Sequence, residues 1–447
     1  MNIKRINLIA ALVILALAEF STCACKPTPI TPVVISKTDT YQESTSSGIS
    51  IEVPDSIQQV YDGFPNLKVV FDAVIAMPDT SIFPVVKVSK RKLFDEDISK
   101  LVELCLGTKD NQLSSNWQLS RAEWLTKLID IQEHDSSEIV RKDYIEYLQD
   151  SFDSASESTN ITYTQLHNLP NDRTSTVYTR NSDTYSRFDF FRTGNRFIYS
   201  RDIFTEVYSE SMLSEDQFDP TYETREQFEW RKPTTPQLDI DAAQNIAQTF
   251  MGQFEIDLEL FRAEPCSVII NGISKRNGWM LTYTRKIENL QSQYSDIGTY
   301  LNPDSLPSYV APWQREVLQV AIDEDGISYL RLQGASIIKE RIASNAVLLP
   351  FEQIQSRIAQ QLNYVYGTHL NGNNVGLELT VTKIELGISL LTQKDEMDTG
   401  VYLPTWYVSF NRKWQDESTD LPSGEIMFSA IDGSYIEPRV TKQQVMS

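Results

Sequence analysis

The chain has 447 residues, 41% hydrophobic and 23% charged, the proportions of a folded protein with room for two or three domains. Its formal charge of −21 repels nucleic-acid phosphates and anionic lipid headgroups, which excludes nucleic acid as a partner and leaves basic or neutral proteins, glycans and cations. The same acidity has a plainer effect, which is to keep an exported protein soluble.

The chain opens as a leader. Lys4 and Arg5 precede an unbroken apolar run from Leu8 to Ala18. A helix of that length rises about 16 Å, short of the roughly 30 Å of a bilayer core, so it reads as a signal-peptide core and not as a fold element. No later apolar run is long enough for a membrane span. Two processing sites compete. Ala16-Leu17-Ala18 suits ordinary secretory cleavage, which releases a soluble protein. Phe20-Ser21-Thr22-Cys23 has the form of a lipobox, with Cys25 after Ala24 as a second acceptor. Residues 26–50 are rich in Pro, Ser and Thr without apolar periodicity, as in a tether. The expectation is a signal peptide over 1–22, acylation of Cys23, a tether over 23–50, and residence on the outer face of a bacterial cell membrane.

Folded sequence is expected from residue 51. Leu67 to Met77 and Phe83 to Val88 read as strands, and Asp95 to Leu106 as a helix with Ile98, Leu101, Val102 and Cys105 on its apolar stripe. Ser120-Arg121-Ala122-Glu123 is a capping box that starts a helix carrying Trp124, Leu125 and Leu128. Helical character returns over 144–152, followed by strands over 176–180, 187–192 and 196–201. Lys232 to Pro236 marks a boundary between an N-terminal α+β domain (51–235) and the C-terminal half.

The C-terminal half reads as one pattern written twice, over 236–345 and 346–447. A helix at 239–251 precedes strands at 266–270, 279–286, 316–322 and 327–332, the last two joined by Asp323-Glu324-Asp325-Gly326. A helix at 350–365, with Pro350 in its first turn, precedes strands at 377–391, 402–410, 425–431 and 435–436. Ala321-Ile322-Asp323 and Ala430-Ile431-Asp432 occupy equivalent places. Helices and antiparallel sheets in this order define an α+β fold class.

Cys23-Ala24-Cys25-Lys26-Pro27-Thr28-Pro29 resembles the opening of a family of Gram-positive surface lipoproteins known only as a domain of unknown function. Ala311-Pro312-Trp313 leading to Glu316, Leu348-Leu349-Pro350-Phe351, Ile384-Glu385-Leu386-Gly387, Leu403-Pro404-Thr405-Trp406 and Ala430-Ile431-Asp432-Gly433-Ser434 carry the same resemblance. The repeated helix-plus-sheet unit is similar to PepSY-type and YycH/YycI-type modules. The resemblance implies an extracytoplasmic regulator or inhibitor of envelope proteins, and it supplies no catalytic residue.

Catalytic chemistry is sparse. His134, His167 and His369 are far apart, and HExxH, GxSxG, P-loop and GxGxxG patterns are absent, so no catalytic residue, metal or cofactor is assigned. Ser89 to Lys92 and Ser336 to Lys339 each spell SxxK without the companion motifs of an acyl enzyme. Asp323, Glu324 and Asp325 crowd one turn, which is either a weak calcium site or a solvated hairpin, and Asp395 to Asp398 make a second charged turn. Cys105 and Cys266 read as two buried thiols, with a disulfide as the alternative that an oxidising compartment permits. The long connection from Ile287 to Trp313 carries Tyr294, Tyr300, Tyr309 and Trp313. It is either a strap whose aromatics cap the core edge or an exposed surface for a peptide or sugar. On the second reading Trp313→Ala weakens a ligand and leaves the fold intact, whereas unfolding marks the strap. The functional expectation is a non-enzymatic protein that binds or regulates another envelope protein. A solute- or glycan-binding lipoprotein is second, and a hydrolase with paired carboxylates third.

Overall fold

The computed structural model describes residues 52–106, 112–116, 118–133, 138–158, 161, 163–166, 174–181, 184–191, 195–213, 224–270, 274–294, 313, 315–367, 376–393, 396–415 and 420–436. The leader, Cys23, Cys25 and the tether lie outside them. In chain order come β1 (Ser56–Phe64), β2 (Leu67–Ala76), β3 (Val85–Lys90), α1 (Asp95–Leu106), β4 (Leu113–Ser114), α2 (Arg121–Glu133) and α3 (Glu138–Ser154). Strands β5 (Thr174–Asn181), β6 (Thr184–Phe191), β7 (Arg196–Ser200) and β8 (Thr205–Ser209) lead to α4 (Arg225–Arg231) and α5 (Ile240–Phe254). Then come β9 (Glu259–Ile270), β10 (Ser274–Thr284), β11 (Lys286–Ile287), β12 (Leu290–Gln291), β13 (Val317–Asp323), β14 (Gly326–Gln333) and β15 (Ser336–Ala343). The chain closes with α6 (Phe351–Tyr366), β16 (Leu377–Gln393), β17 (Glu396–Trp414), β18 (Asp420–Ser429) and β19 (Tyr435–Ile436). The fold is α+β.

Two large sheets hold the molecule. One has nine strands in the order β4-β5-β6-β7-β14-β13-β10-β9-β8. The other runs β1-β2-β16-β17-β18-β19, with β3 joining β15 to β17. Two of the three strands within 56–90 therefore pair with strands from residue 336 onward. β2 lies parallel beside β16 with Leu67 opposite Leu377, and β3 pairs with β15 and β17. β7, in turn, pairs with β14. Sheet membership thus crosses both boundaries expected from the sequence, at 235/236 and 345/346. Long-range pairing decides which strands share a sheet, and local composition carries no signal for it.

Each sheet has one face that reads directly from the sequence. In β2, Leu67, Val69, Phe71, Ala73 and Ile75 are buried against Ile354, Ile358 and Leu362 of α6, while the alternate residues point outward. In the nine-stranded sheet, Leu281, Tyr283, Leu318, Val320, Leu330, Leu332, Phe188 and Phe197 pack under α5 and α1. Local chemistry sets the helix ends. Asp239 caps α5 by accepting from the Asp241 N–H at 2.8 Å, and Glu255 ends it in the left-handed region. Arg91 donates to the carbonyls of Phe254 and Glu255 at 3.1 and 3.3 Å, placing a cation at the negative end of α5. The expected capping box is present at α2. The Glu123 carboxylate accepts from the Ser120 N–H and hydroxyl, each at 2.7 Å. Gly326, at φ 97°, supplies the turn of the β13–β14 hairpin.

Candidate functional site

Between β10 and β13 the chain leaves the nine-stranded sheet, forms the small β11–β12 ladder and returns through Trp313. Where it leaves and re-enters, a buried polar cluster joins the two large sheets. Arg285, just after β10, donates to Glu316 through Nε at 2.9 Å and Nη2 at 2.8 Å. Glu316 also accepts from the Ser336 N–H at 2.8 Å, the Ser336 hydroxyl at 2.7 Å and the Tyr402 hydroxyl at 3.0 Å. Ser336 and Tyr402 belong to the other sheet. Burial opposes the Arg285 charge, but Glu316 beside it more than offsets that and holds the guanidinium above its ordinary value. Burial and the Glu316 charge together push the Tyr402 hydroxyl well up, so it remains a neutral donor. The cluster fixes one sheet against the other.

The opposite face of the nine-stranded sheet, away from α5, is apolar at one end, where Cys266, Val268, Met280 and Ala321 cluster, and polar at the other. Register places Arg262, Thr282, Gln319 and Arg331 in one row across β9, β10, β13 and β14, continued by Ile198 on β7. The adjacent row holds Thr284, Val317, Gln333 and Arg196. Tyr294 lies over these rows, with its hydroxyl 3.5 Å from Gln319 Oε1. Arg331 Nε donates to Gln333 Oε1 at 2.9 Å, and Gln333 Nε2 donates to the Arg315 carbonyl at 3.4 Å. Among the described residues, several buried polar atoms here have no hydrogen-bond partner: Arg196 Nε, Thr282 Oγ1 and Thr284 Oγ1. Burial, reinforced by the neighbouring Arg331 charge, pushes the Arg196 guanidinium below its ordinary value. Buried polar groups are ordinarily satisfied, so unspent hydrogen-bonding capacity gathered on one sheet face marks that face as a candidate binding site. Guanidinium, amide and hydroxyl groups hold and orient a ligand; a guanidinium does not give up its proton in this pH range.

The structure distributes the sequence candidates unevenly. Trp313 is 3% exposed, packs in the core under α6 and donates from Nε1 to the Gly334 carbonyl at 2.9 Å. Tyr294 is 7% exposed. These two side chains therefore do not form an exposed aromatic surface. Trp313 fills the junction of the sheets as a strap residue, because its ring is large enough to close the space beside Gly400. Tyr300 and Tyr309 lie outside the described residues, as do His134, His167 and His369.

The Asp323 turn is neither open nor solvated at its first residue. Asp323 is 1% exposed and accepts from Arg201 Nη1 at 2.9 and 3.0 Å and from the Ser328 hydroxyl at 2.5 Å. Asp325 pairs with Arg276. In the second charged turn Asp398 pairs with Lys92 at 2.7 Å, and Asp395 lies outside the described residues. Among the described residues no group of His, Cys, Asp and Glu is arranged to hold a metal ion. Ser336 spends its hydroxyl on Glu316, not on Lys339. Cys105 and Cys266 are free thiols in separate apolar clusters. The polar sheet face escaped sequence reasoning because Arg196, Thr282 and Arg331 are far apart in the chain. The alternation of β10 was its one legible trace.

No protein-family model matches the chain, and no curated protein matches it. Among solved structures, it is similar to an uncharacterized protein from Eubacterium rectale ATCC 33656. The two are 14% identical with a TM-score of 0.39, over 86% of this chain and 94% of that one. A likeness of that extent carries no functional argument. No described helix is long and apolar enough to cross a membrane.

Proposed function

We propose that this chain is a lipid-anchored protein on the outer face of a bacterial, Gram-positive cell membrane, attached through Cys23 (alternatively Cys25), that binds or regulates another envelope protein without catalysis. The leader, lipobox and tether support the location. The polar face of the nine-stranded sheet carries the functional reading, because its unspent groups are suited to holding a partner and not to moving protons. The repeated order of elements supports the PepSY-like and YycH/YycI-like reading. Helix α5 is followed by β9, β10, β13 and β14 paired in succession, and α6 by β16, β17, β18 and β19 paired in succession.

The test is a pull-down from solubilised membranes with the full chain, using mass spectrometry on bait and prey. A diacylglyceryl adduct on Cys23 and one reproducible membrane-protein prey support the reading. A mature N-terminus at Glu19 without lipid overturns the anchor. Solute or glycan binding is the second reading, favoured by the half-buried arginines on the same face. Lipid without prey directs the search there. A hydrolase with paired carboxylates ranks third, since Glu316 and Asp323 are committed to Arg285 and Arg201.

A further inference from the structure

The chain carries 61 acidic and 40 basic residues, so an arginine has no shortage of carboxylates to pair with. Arg196 and Arg331 nevertheless stand together without one among the described residues. Arg196 lies opposite Gln333, and Arg331 is two residues before Gln333 on the same strand. The two are therefore diagonal neighbours on one face, a relation that places Cα atoms about 7–8 Å apart. Arg331 spends its Nε on an amide, and Arg196 Nε is buried and has no hydrogen-bond partner among the described residues.

Asp189, opposite Ile198 and so diagonal to Arg196, favours its charge from across the strand but makes no ion pair with it, and the acidic groups of this sheet face are already engaged. Asp189 accepts from Arg187 at 2.9 Å and from the Thr176 hydroxyl at 2.5 Å. Glu264 accepts from the Ser211 N–H and hydroxyl at 3.1 and 2.9 Å and pairs with Arg262 at 3.3 Å. Two half-buried like charges side by side are destabilising unless an anion sits between them. Gln319 is the direct cross-strand neighbour of Arg331, and further along the same rows, on β10, Thr282 and Thr284 are each 1% exposed with a hydroxyl unpartnered among the described residues. The guanidinium fork matches the oxygen spacing of carboxylates and phosphates.

We infer that Arg196 and Arg331 form a binding site for an oxyanion, the carboxylate or phosphate group of a ligand, with the amides of Gln319 and Gln333 alongside. The inference rests on the reading of this sheet face as the binding surface, and it names the ligand chemistry that face takes. A repulsive pair kept in place on an otherwise acidic protein also gives selectivity, since the rest of the surface turns anions away.

The experiment is titration calorimetry and thermal melting of the whole chain in detergent with inorganic phosphate or glutarate, at ionic strength fixed with sodium chloride. The wild type is expected to bind one or both and to melt higher with it, and the preferred probe tells phosphate from carboxylate. Arg196→Gln with Arg331→Gln is expected to weaken binding at least tenfold and, in chloride alone, to melt no lower than the wild type. No response of the wild type beyond chloride overturns the site, as does unchanged binding by the double variant. If the double variant melts far below the wild type, the arginines are structural and the site falls. Arg331→Lys, which keeps the charge and loses the fork, is expected to bind several-fold more weakly while folding normally. The two readings fail separately. Prey captured equally by wild type and double variant, without an oxyanion response, overturns the anion site and leaves the regulator. An oxyanion response without prey leaves the site and overturns the regulator.

Discussion

Glu316 shows how much one side chain can decide here. It is 3% exposed and satisfies an arginine, a tyrosine, and the backbone and side chain of a serine, from both sheets. Removing its charge leaves Arg285 buried and uncompensated, so Glu316→Gln is expected to cost about 3–5 kcal/mol in urea unfolding. Glu123 gives a different signal. Burial opposes its charge, but hydrogen bonds from Ser120 and the nearby Arg180 outweigh burial and hold the carboxyl below its ordinary value of 4.5. A depressed carboxyl binds its proton less tightly folded than unfolded. Its contribution to stability is therefore complete above pH 4.5 and is lost as pH falls through the lower folded value. Glu123→Gln is expected to flatten the acid limb of a stability-versus-pH curve below that point and to leave the neutral limb without such a slope. The Ser120–Glu123 box was legible in the sequence because both partners lie within one helical turn. In the sequence Glu316 stands out only as part of the Ala311-Pro312-Trp313 motif. Its partners at 285, 336 and 402 are separated by loops and strands that no local pattern links.

At the scale of elements, the connection between β10 and β13 is the informative one. The sequence left it open between a strap and a binding surface. Trp313 now belongs with the core residues Phe351, Ile358 and Trp406. Trp313→Ala is expected to lose about 3–5 kcal/mol and to lower the unfolding midpoint, read by urea titration with tryptophan fluorescence. A variant as stable as the wild type would restore this connection as a candidate surface. Helix and strand positions were otherwise well marked. The stripe of α1, the β13–β14 hairpin and the start of α6 fall at or within a residue or two of the expected places. The elements missed were β1, β4, β8, β12, β15 and α4, and β11 was run together with β10. β1 and β15 are mostly exposed, so neither has the clean alternation that one buried face imposes.

For the whole molecule, pairing across the chain is the governing fact. β2 and β3 are integral to the sheet built by β15 to β18, and β7 borders β14 in the other. The fragment 236–447, which holds both expected C-terminal units, lacks β2, β3 and β7. It is expected not to fold alone, because hydrophobic faces and backbone donors on β16, β17 and β14 lose their neighbours. Circular dichroism and dye binding of the isolated fragment test this. A cooperative melt from the fragment would restore the boundary at 235/236.

The sequence by itself determined the α+β class, the capping box of α2 and the inward faces of the long strands. All of these depend on residues within a few turns or one strand of each other. Only the tertiary structure decided that the first three strands belong with the last ones, that Trp313 is core, and that Arg196 and Arg331 are neighbours. The first and last of those depend on strand register between segments more than a hundred residues apart, and the burial of Trp313 on the packing of the two sheets against each other. Register is settled by the burial of whole faces, and no local run of residues encodes it.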